Sequence, residues 1–103
     1  MQIPKKVRIG GIDYKVIFKD NPLSDGGKSC YGLFDSEGCT IELNSDVGFP
    51  HERMCLTFLH EILHGVIFHT GEELEDEEKL VRVLSRGLYQ VIQDNPRIFE
   101  SKK

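Results

Sequence analysis

The stretch of residues 53–69 reads RMCLTFLHEILHGVIFH. Its apolar positions are Met54, Cys55, Leu56, Phe58, Leu59, Ile62, Leu63, Val66 and Ile67. That spacing fits a helix over about 52–69 with a wide buried face, and Gly71 just beyond supplies a C-cap. Inside it, His60-Glu61-Ile62-Leu63-His64 forms an HExxH pattern. Residues i and i+4 lie on one helix face, one turn apart, so both imidazoles can reach a single metal ion. Glu61 projects about 100° away from His60. It is near enough to serve a metal-bound water as general base and poorly placed to replace a histidine as ligand. Zinc suits such donors, and in catalytic sites it keeps one position open for water. The bland alternative is a pair of buried neutral histidines in ordinary hydrogen bonds; two of them one turn apart in so apolar a segment favour the metal.

A catalytic site of this kind needs a third protein ligand. The metzincin continuation, a Gly three and a His six residues after the second histidine, fails because Ile67 and Thr70 hold those positions. His69 falls off the ligand face and reads as a helix-end cation, while His51 reads as a surface residue. A carboxylate from a second helix remains. The acidic run Glu72 to Glu78 opens that helix, over about 73–94, and it continues through Leu80, Val81, Leu84, Leu88, Val91 and Ile92 until Asp94-Asn95-Pro96 stops it. Most of these acids need no role beyond favourable contact with the helix dipole. Glu78 is followed by Val81, Leu84 and Ser85 at +3, +6 and +7, a face that can pack closely on the first helix. Glu77 has Val81 and Leu84 at +4 and +7. Helix periodicity locates a face only to within a residue or so, so Glu78 ranks first as ligand and Glu77 stays open.

The first half reads as strands, over about residues 5–44. Lys6 to Ile9 and Ile12 to Phe18 alternate around a Gly10-Gly11 hairpin turn. Asp20 to Gly27 reads as a loop. Ser29 to Phe34 and Cys39 to Leu43 read as a second hairpin, its two-residue turn at Ser36-Glu37 setting Phe34 opposite Cys39 and Cys30 opposite Leu43. Asn44 to Pro50 connects to the helices, and the tail from Arg97 is expected to be loosely ordered. The expectation is one α+β domain over 1–103, a small antiparallel sheet packed on two C-terminal helices.

The chain has 103 residues, 13 Lys+Arg against 17 Asp+Glu, and a net charge of −4. Its length supports one modest core, built from large side chains because Ala and Trp are absent. No basic cluster offers a nucleic-acid surface. The longest apolar runs, Val16-Ile17-Phe18 and Val66-Ile67-Phe68, fall far short of the roughly 20 residues that span a bilayer, and no signal-peptide stretch follows the N-terminus. Three cysteines, Cys30, Cys39 and Cys55, lack CxxC spacing and read as reduced thiols. A cytoplasmic protein with no nucleic-acid or membrane partner is expected.

Strands, an HEILH helix and an E-x-x-V-x-x-L-S helix, followed by Gly87-Leu88-Tyr89 and Asp94-Asn95-Pro96, together resemble the small phage and prophage zincin-like proteins related to the ImmA/IrrE metallopeptidases and the minigluzincins. The resemblance covers most of the chain from Tyr31-Gly32 onward. It implies a zincin-like fold and a gluzincin-type site, with His60, His64 and Glu78 on zinc and Glu61 as general base. Val81 and Arg82 depart from the Ala and Asp or Asn that usually follow the ligand glutamate in the larger peptidases.

Such a site implies hydrolysis of a peptide or protein substrate. The oxyanion needs a further donor; Tyr31 is a candidate, although a strand aromatic packed in the core is its simpler reading. The substrate is expected along the edge of the Cys39–Leu43 strand. The competing class is a non-catalytic phage protein, stabilised by zinc between two helices and acting as an interaction module. Glu61 separates the two, because a structural clip has no use for a base beside its first ligand.

Overall fold

The computed structural model describes residues 1–20, 23–25, 28–46 and 50–100. Its elements run β1 (Lys6–Ile9), β2 (Ile12–Lys19), β3 (Leu23–Asp25), β4 (Lys28–Cys30), β5 (Gly32–Asp35), β6 (Thr40–Asn44), α1 (His51–Thr70) and α2 (Glu77–Asp94). The α+β class therefore stands. The first hairpin also forms as read: Ile9 pairs Ile12, and Gly10 and Gly11 take φ of 59° and 81°, the left-handed conformations that a tight primed turn demands.

The sheet itself differs from expectation. Its order is β1-β2-β6-β5, and β2 runs parallel to β6, with Val16 opposite Ile41 and Phe18 opposite Leu43. It is a mixed sheet, not an antiparallel one, because the chain leaves β2 through the separate β3–β4 hairpin and re-enters the sheet at β5, at the far edge. Within the expected Asp20–Gly27 loop, Leu23–Asp25 is a strand that pairs with Lys28–Cys30. The expected Ser29–Phe34 strand is split by a bend at Tyr31. In the β5–β6 hairpin Phe34 pairs Ile41 and Gly32 pairs Leu43, two residues out of the expected register. Four residues, Ser36 to Cys39, make the turn. Asp35 accepts hydrogen bonds from the Glu37 and Gly38 N–H groups, and Cys39 takes a φ of 55°. A shift of two keeps each side chain on its face, so Ile41 and Leu43 still point into the core.

That core joins one face of the sheet, with Ile9, Tyr14, Val16, Ile41 and Leu43, to Phe58 of α1; Ile62 and Met54 pack at its margin. Each large apolar side chain buried this way contributes roughly 1.5–3 kcal/mol. Gly65 lets α1 approach closely, since a Cβ there would lie 2.8 Å from the Phe34 ring. At the end of α1, Gly71 has a φ of 76° and its N–H donates to the Phe68 carbonyl. His69 stands in the last turn of α1, as expected, and its Nε2 lies 2.6 Å from the hydroxyl of fully buried Tyr14, which ties that turn to β2. His51 is exposed, as expected, and lies 3.3 Å from Cys55 Sγ.

α2 packs on the other side of α1 through buried Val81 and Ser85. It starts at Glu77, later than the acidic run implies, because the Asp76 side chain caps it by accepting the Lys79 N–H. Leu84, read as part of the packed face, is 49% exposed. The tail turns once more beyond Pro96, where Ile98 N–H donates to the Asn95 carbonyl. Cys39 and Cys55 are free thiols. The connections read through residues 21–22, 26–27 and 47–49, the last residues of the tail and the side chain of Cys30 lie outside the described part. Among the described residues no helix is long and apolar enough to cross a membrane.

Candidate metal centre

α1 carries His60 and His64 on the face turned to α2, and the first turn of α2 carries Glu77 and Glu78. His60 Nε2 lies 2.9 Å from Glu78 Oε1 and 3.1 Å from Oε2. His64 Nε2 lies 3.2 Å from His60 Nε2 and 3.4 Å from Glu78 Oε2. These three atoms form a nearly equilateral triangle. Donors about 2.0–2.1 Å from a tetrahedral ion sit about 3.3 Å apart, so the triangle has the size of one face of such a tetrahedron. His60, His64 and Glu78 can therefore hold a metal ion together.

The protonation pattern points the same way. His64 Nδ1 lies 2.6 Å from Glu77 Oε2. A carboxylate only accepts, so Nδ1 carries the proton, and in the neutral ring Nε2 keeps its lone pair facing His60 and Glu78. Burial pushes His60 below its ordinary value, with Glu78 opposing the shift. The half-buried ring thereby favours the neutral form that ligates metals. In the absence of an ion, an Nε2–H tautomer of His60 can donate to the Glu78 carboxylate. A divalent ion at the same point would take the place of that proton, with both Nε2 lone pairs and the carboxylate turned to it.

Glu61 is buried, 8% exposed, and lines the same cleft as His60, His64 and Glu78. β5 comes close to it because residue 32 is glycine. A Cβ at Gly32 would lie 2.6 Å from Thr57 Cγ2 and 3.2 Å from Glu61 Oε2. The acid is thus held between α1 and the edge strand, in the same cleft as the triangle yet not one of its corners. Exclusion of water makes its charge interactions stronger than they would be at an open surface.

The cleft measures about 1070 Å³ and is bounded by β5, α1 and α2. That is just above the ~300–1,000 Å³ typical of small-molecule sites, and room enough for an extended chain segment. Two expectations change here. β6 is an inner strand between β2 and β5, so Cys39–Leu43 offers no free edge; β5 stands at the edge and lines the cleft. Tyr31 does not pack in the core: it is 53% exposed, lines the cleft and has the Arg53 guanidinium 5.5 Å above its ring.

Sequence reasoning missed two features. The adjacent glutamates do different things, Glu78 facing both imidazoles and Glu77 orienting one of them. Arg82 and Arg86 also line the cleft, and the signal for them was present in the i, i+4, i+8 spacing from Glu78. Compared with family models, curated proteins and solved structures, the chain finds no match.

Proposed function

We propose that this chain is a zinc-dependent metallopeptidase of the gluzincin type, hydrolysing a peptide bond in a peptide or protein substrate. The observation that carries the reading is the triangle of His60 Nε2, His64 Nε2 and Glu78 Oε2, with edges of 3.1–3.4 Å, next to a buried carboxylate that is not one of its corners. The resemblance of the HEILH helix to the small phage zincins supports the same reading. His60, His64 and Glu78 would hold the ion, and Glu77 would keep His64 in the ligating tautomer. Zinc bound there supplies Lewis acidity and brings the pKa of a coordinated water to near 7.

The chain's own residues do the rest. Glu61 takes the proton of the attacking water and passes it to the departing amine, one base and acid serving both transfers. β5 offers the backbone groups of an edge strand, to which an extended substrate can add as one more strand. The half-buried walls of α1 and α2 exclude part of the solvent around the reacting carbonyl. A purely structural ion between the helices would need neither the buried Glu61 nor the adjoining edge strand.

The test is Glu61→Gln. Zinc content near one per chain should be unchanged in the variant, while zinc-dependent cleavage of a peptide library, read by mass spectrometry, should disappear. Equal cleavage by the variant would refute the role of Glu61, and wild-type protein with zinc and no cleavage would leave only the structural clip.

A further inference from the structure

The proposed mechanism does not use the arginines of the cleft. Arg82 and Arg86 follow Glu78 along one stripe of α2, one and two turns further on, and Arg53 of α1 lies at the same end with Tyr31. That this is the N-terminal end of α1 is fixed by Tyr89, whose ionisation is opposed by burial and by its neighbours Cys55 and Glu52. Neither Arg82 nor Arg86 has a carboxylate within ion-pair distance among the described residues. Both arginines are exposed, in a chain of net charge −4. At the opposite end the cleft is lined by Phe34, Phe68 and Glu72. The cleft is therefore polar in the electrical sense, positive toward the start of α1 and apolar to negative beyond the metal triangle.

The spacing adds a geometric constraint. Residues four apart on a helix are separated by about 6 Å along its axis. Alternate residues of an extended strand are separated by about 6.6 Å and point to the same side. A peptide laid along β5 and flanked by α2 thus presents every second side chain to the Glu78–Arg82–Arg86 stripe, in near register with it. Arg82 falls about two peptide residues from the triangle and Arg86 about four. Guanidinium groups select carboxylates by paired, charge-assisted hydrogen bonds, and the cleft walls concentrate their field.

We infer that the cleft takes a peptide bearing two acidic side chains two residues apart, on the side of the cut bond nearer the N-terminal end of α1, with Arg82 and Arg86 receiving them. The inference rests on the peptidase reading for the placing of the peptide along β5. Glu52 at this end tempers the positive field, so the selection is set by the two α2 arginines and their register rather than by bulk charge.

The experiment measures binding apart from chemistry. Rhodamine-labelled decapeptide pools, degenerate except for a fixed Glu-x-Glu, Gln-x-Gln or Lys-x-Lys, are titrated by fluorescence anisotropy against the full chain carrying Glu61→Gln, with and without zinc. The Glu-x-Glu pool should bind about ten-fold more tightly than the Gln-x-Gln pool, two screened ion pairs being enough for that. The preference should shrink as salt is raised from 50 to 500 mM. It should vanish in Arg82→Gln/Arg86→Gln, whose circular-dichroism melt shows whether the variant is folded, and fall part-way in Arg86→Gln alone. A Glu-x-Glu-x-Glu pool should gain little over Glu-x-Glu, which separates register from bulk charge. Equal binding of the acidic and amide pools, no binding of either, or a preference untouched by the arginine variants would overturn the inference. Cleavage of the same pools by the wild-type protein keeps the two proposals apart. Cleavage without acidic preference sinks this inference and leaves the hydrolase, whereas arginine-dependent binding without zinc or cleavage does the reverse.

Discussion

His64 Nδ1 lies 2.6 Å from Glu77 Oε2, while the other nitrogen of the same ring faces His60 Nε2 and Glu78. Two neighbouring glutamates thus serve one imidazole from opposite sides, Glu77 fixing its proton and Glu78 sharing its target. Adjacent helical residues can do this because they diverge by about 100°, and both lie in the first turn of α2, where their charge also favours the helix dipole.

This division of labour predicts unequal losses. Glu77→Ala should weaken zinc binding about 10- to 100-fold, the usual cost of removing a group that orients a ligand. Glu78→Ala, which removes a ligand, should lose more. Competition titration against a chromophoric chelator measures both, and a larger loss in Glu77→Ala would exchange the two assignments.

Gly32 and Thr57 should be energetically coupled. A Cβ at residue 32 meets Thr57 Cγ2 at 2.6 Å, so Gly32→Ala pushes β5 away from α1 and should cost about 1–3 kcal/mol, as overpacking does. Thr57→Ser removes that methyl but keeps the hydroxyl that donates to the Arg53 carbonyl. The double variant should recover much of the loss in a denaturant-unfolding cycle; additive effects would place the strain elsewhere.

Tyr14 and His69 anchor the end of α1 to β2, and Tyr14→Phe should cost about 1–2 kcal/mol by leaving a half-buried ring nitrogen without its partner. pH gives a second signature. Burial, with Cys39 adding to it, raises the Tyr14 hydroxyl above its ordinary value of 10.0. The unfolded chain releases this proton first, so the contribution is present below about pH 10 and is lost as pH climbs through the higher folded value. Stability measured by urea unfolding between pH 9 and 11 should fall less steeply in Tyr14→Phe than in the wild-type chain.

Removal of metal should loosen the pairing of the two helices. An ion that binds only the folded chain stabilises it by about 4 kcal/mol at 1,000 times its Kd. Chelator should lower the melting temperature of the wild-type protein and of Glu61→Gln alike, and leave that of His60→Ala unchanged. A chelator-dependent shift in His60→Ala would point to a different ion site.

Much of this was legible from residues near one another in the sequence. The HEILH helix announces itself by apolar spacing, and Gly10-Gly11 turns a hairpin that few other residue pairs would allow. Alternation in β2 and β6 marks which side chains are buried, yet carries no information on which strand lies beside which, so their parallel pairing could not be read. The β5–β6 register escaped because Cys39, a residue with no preference for positive φ, supplies the left-handed turn position. The Tyr14–His69 contact joins residues 55 apart, and nothing local to either foretells it. Glu77 and Glu78 were separable only to within the one-residue tolerance of a helical wheel, and their roles depend on that one residue. Arg86 went unread, and Arg82 was read only as a departure from a pattern, because a charged stripe on a helix is ordinarily a solvated face, and a wall of a cleft is visible only when the opposite walls are in place.

X-ray absorption at the zinc edge, on protein loaded with one equivalent, reads the ligand set itself. Two imidazoles and light oxygen scatterers at about 2.0–2.1 Å are predicted, with the imidazole signal reduced in His64→Ala. Sulfur scattering near 2.3 Å, or an imidazole signal unchanged in that variant, would contradict the assignment of His60, His64 and Glu78 as the ligands.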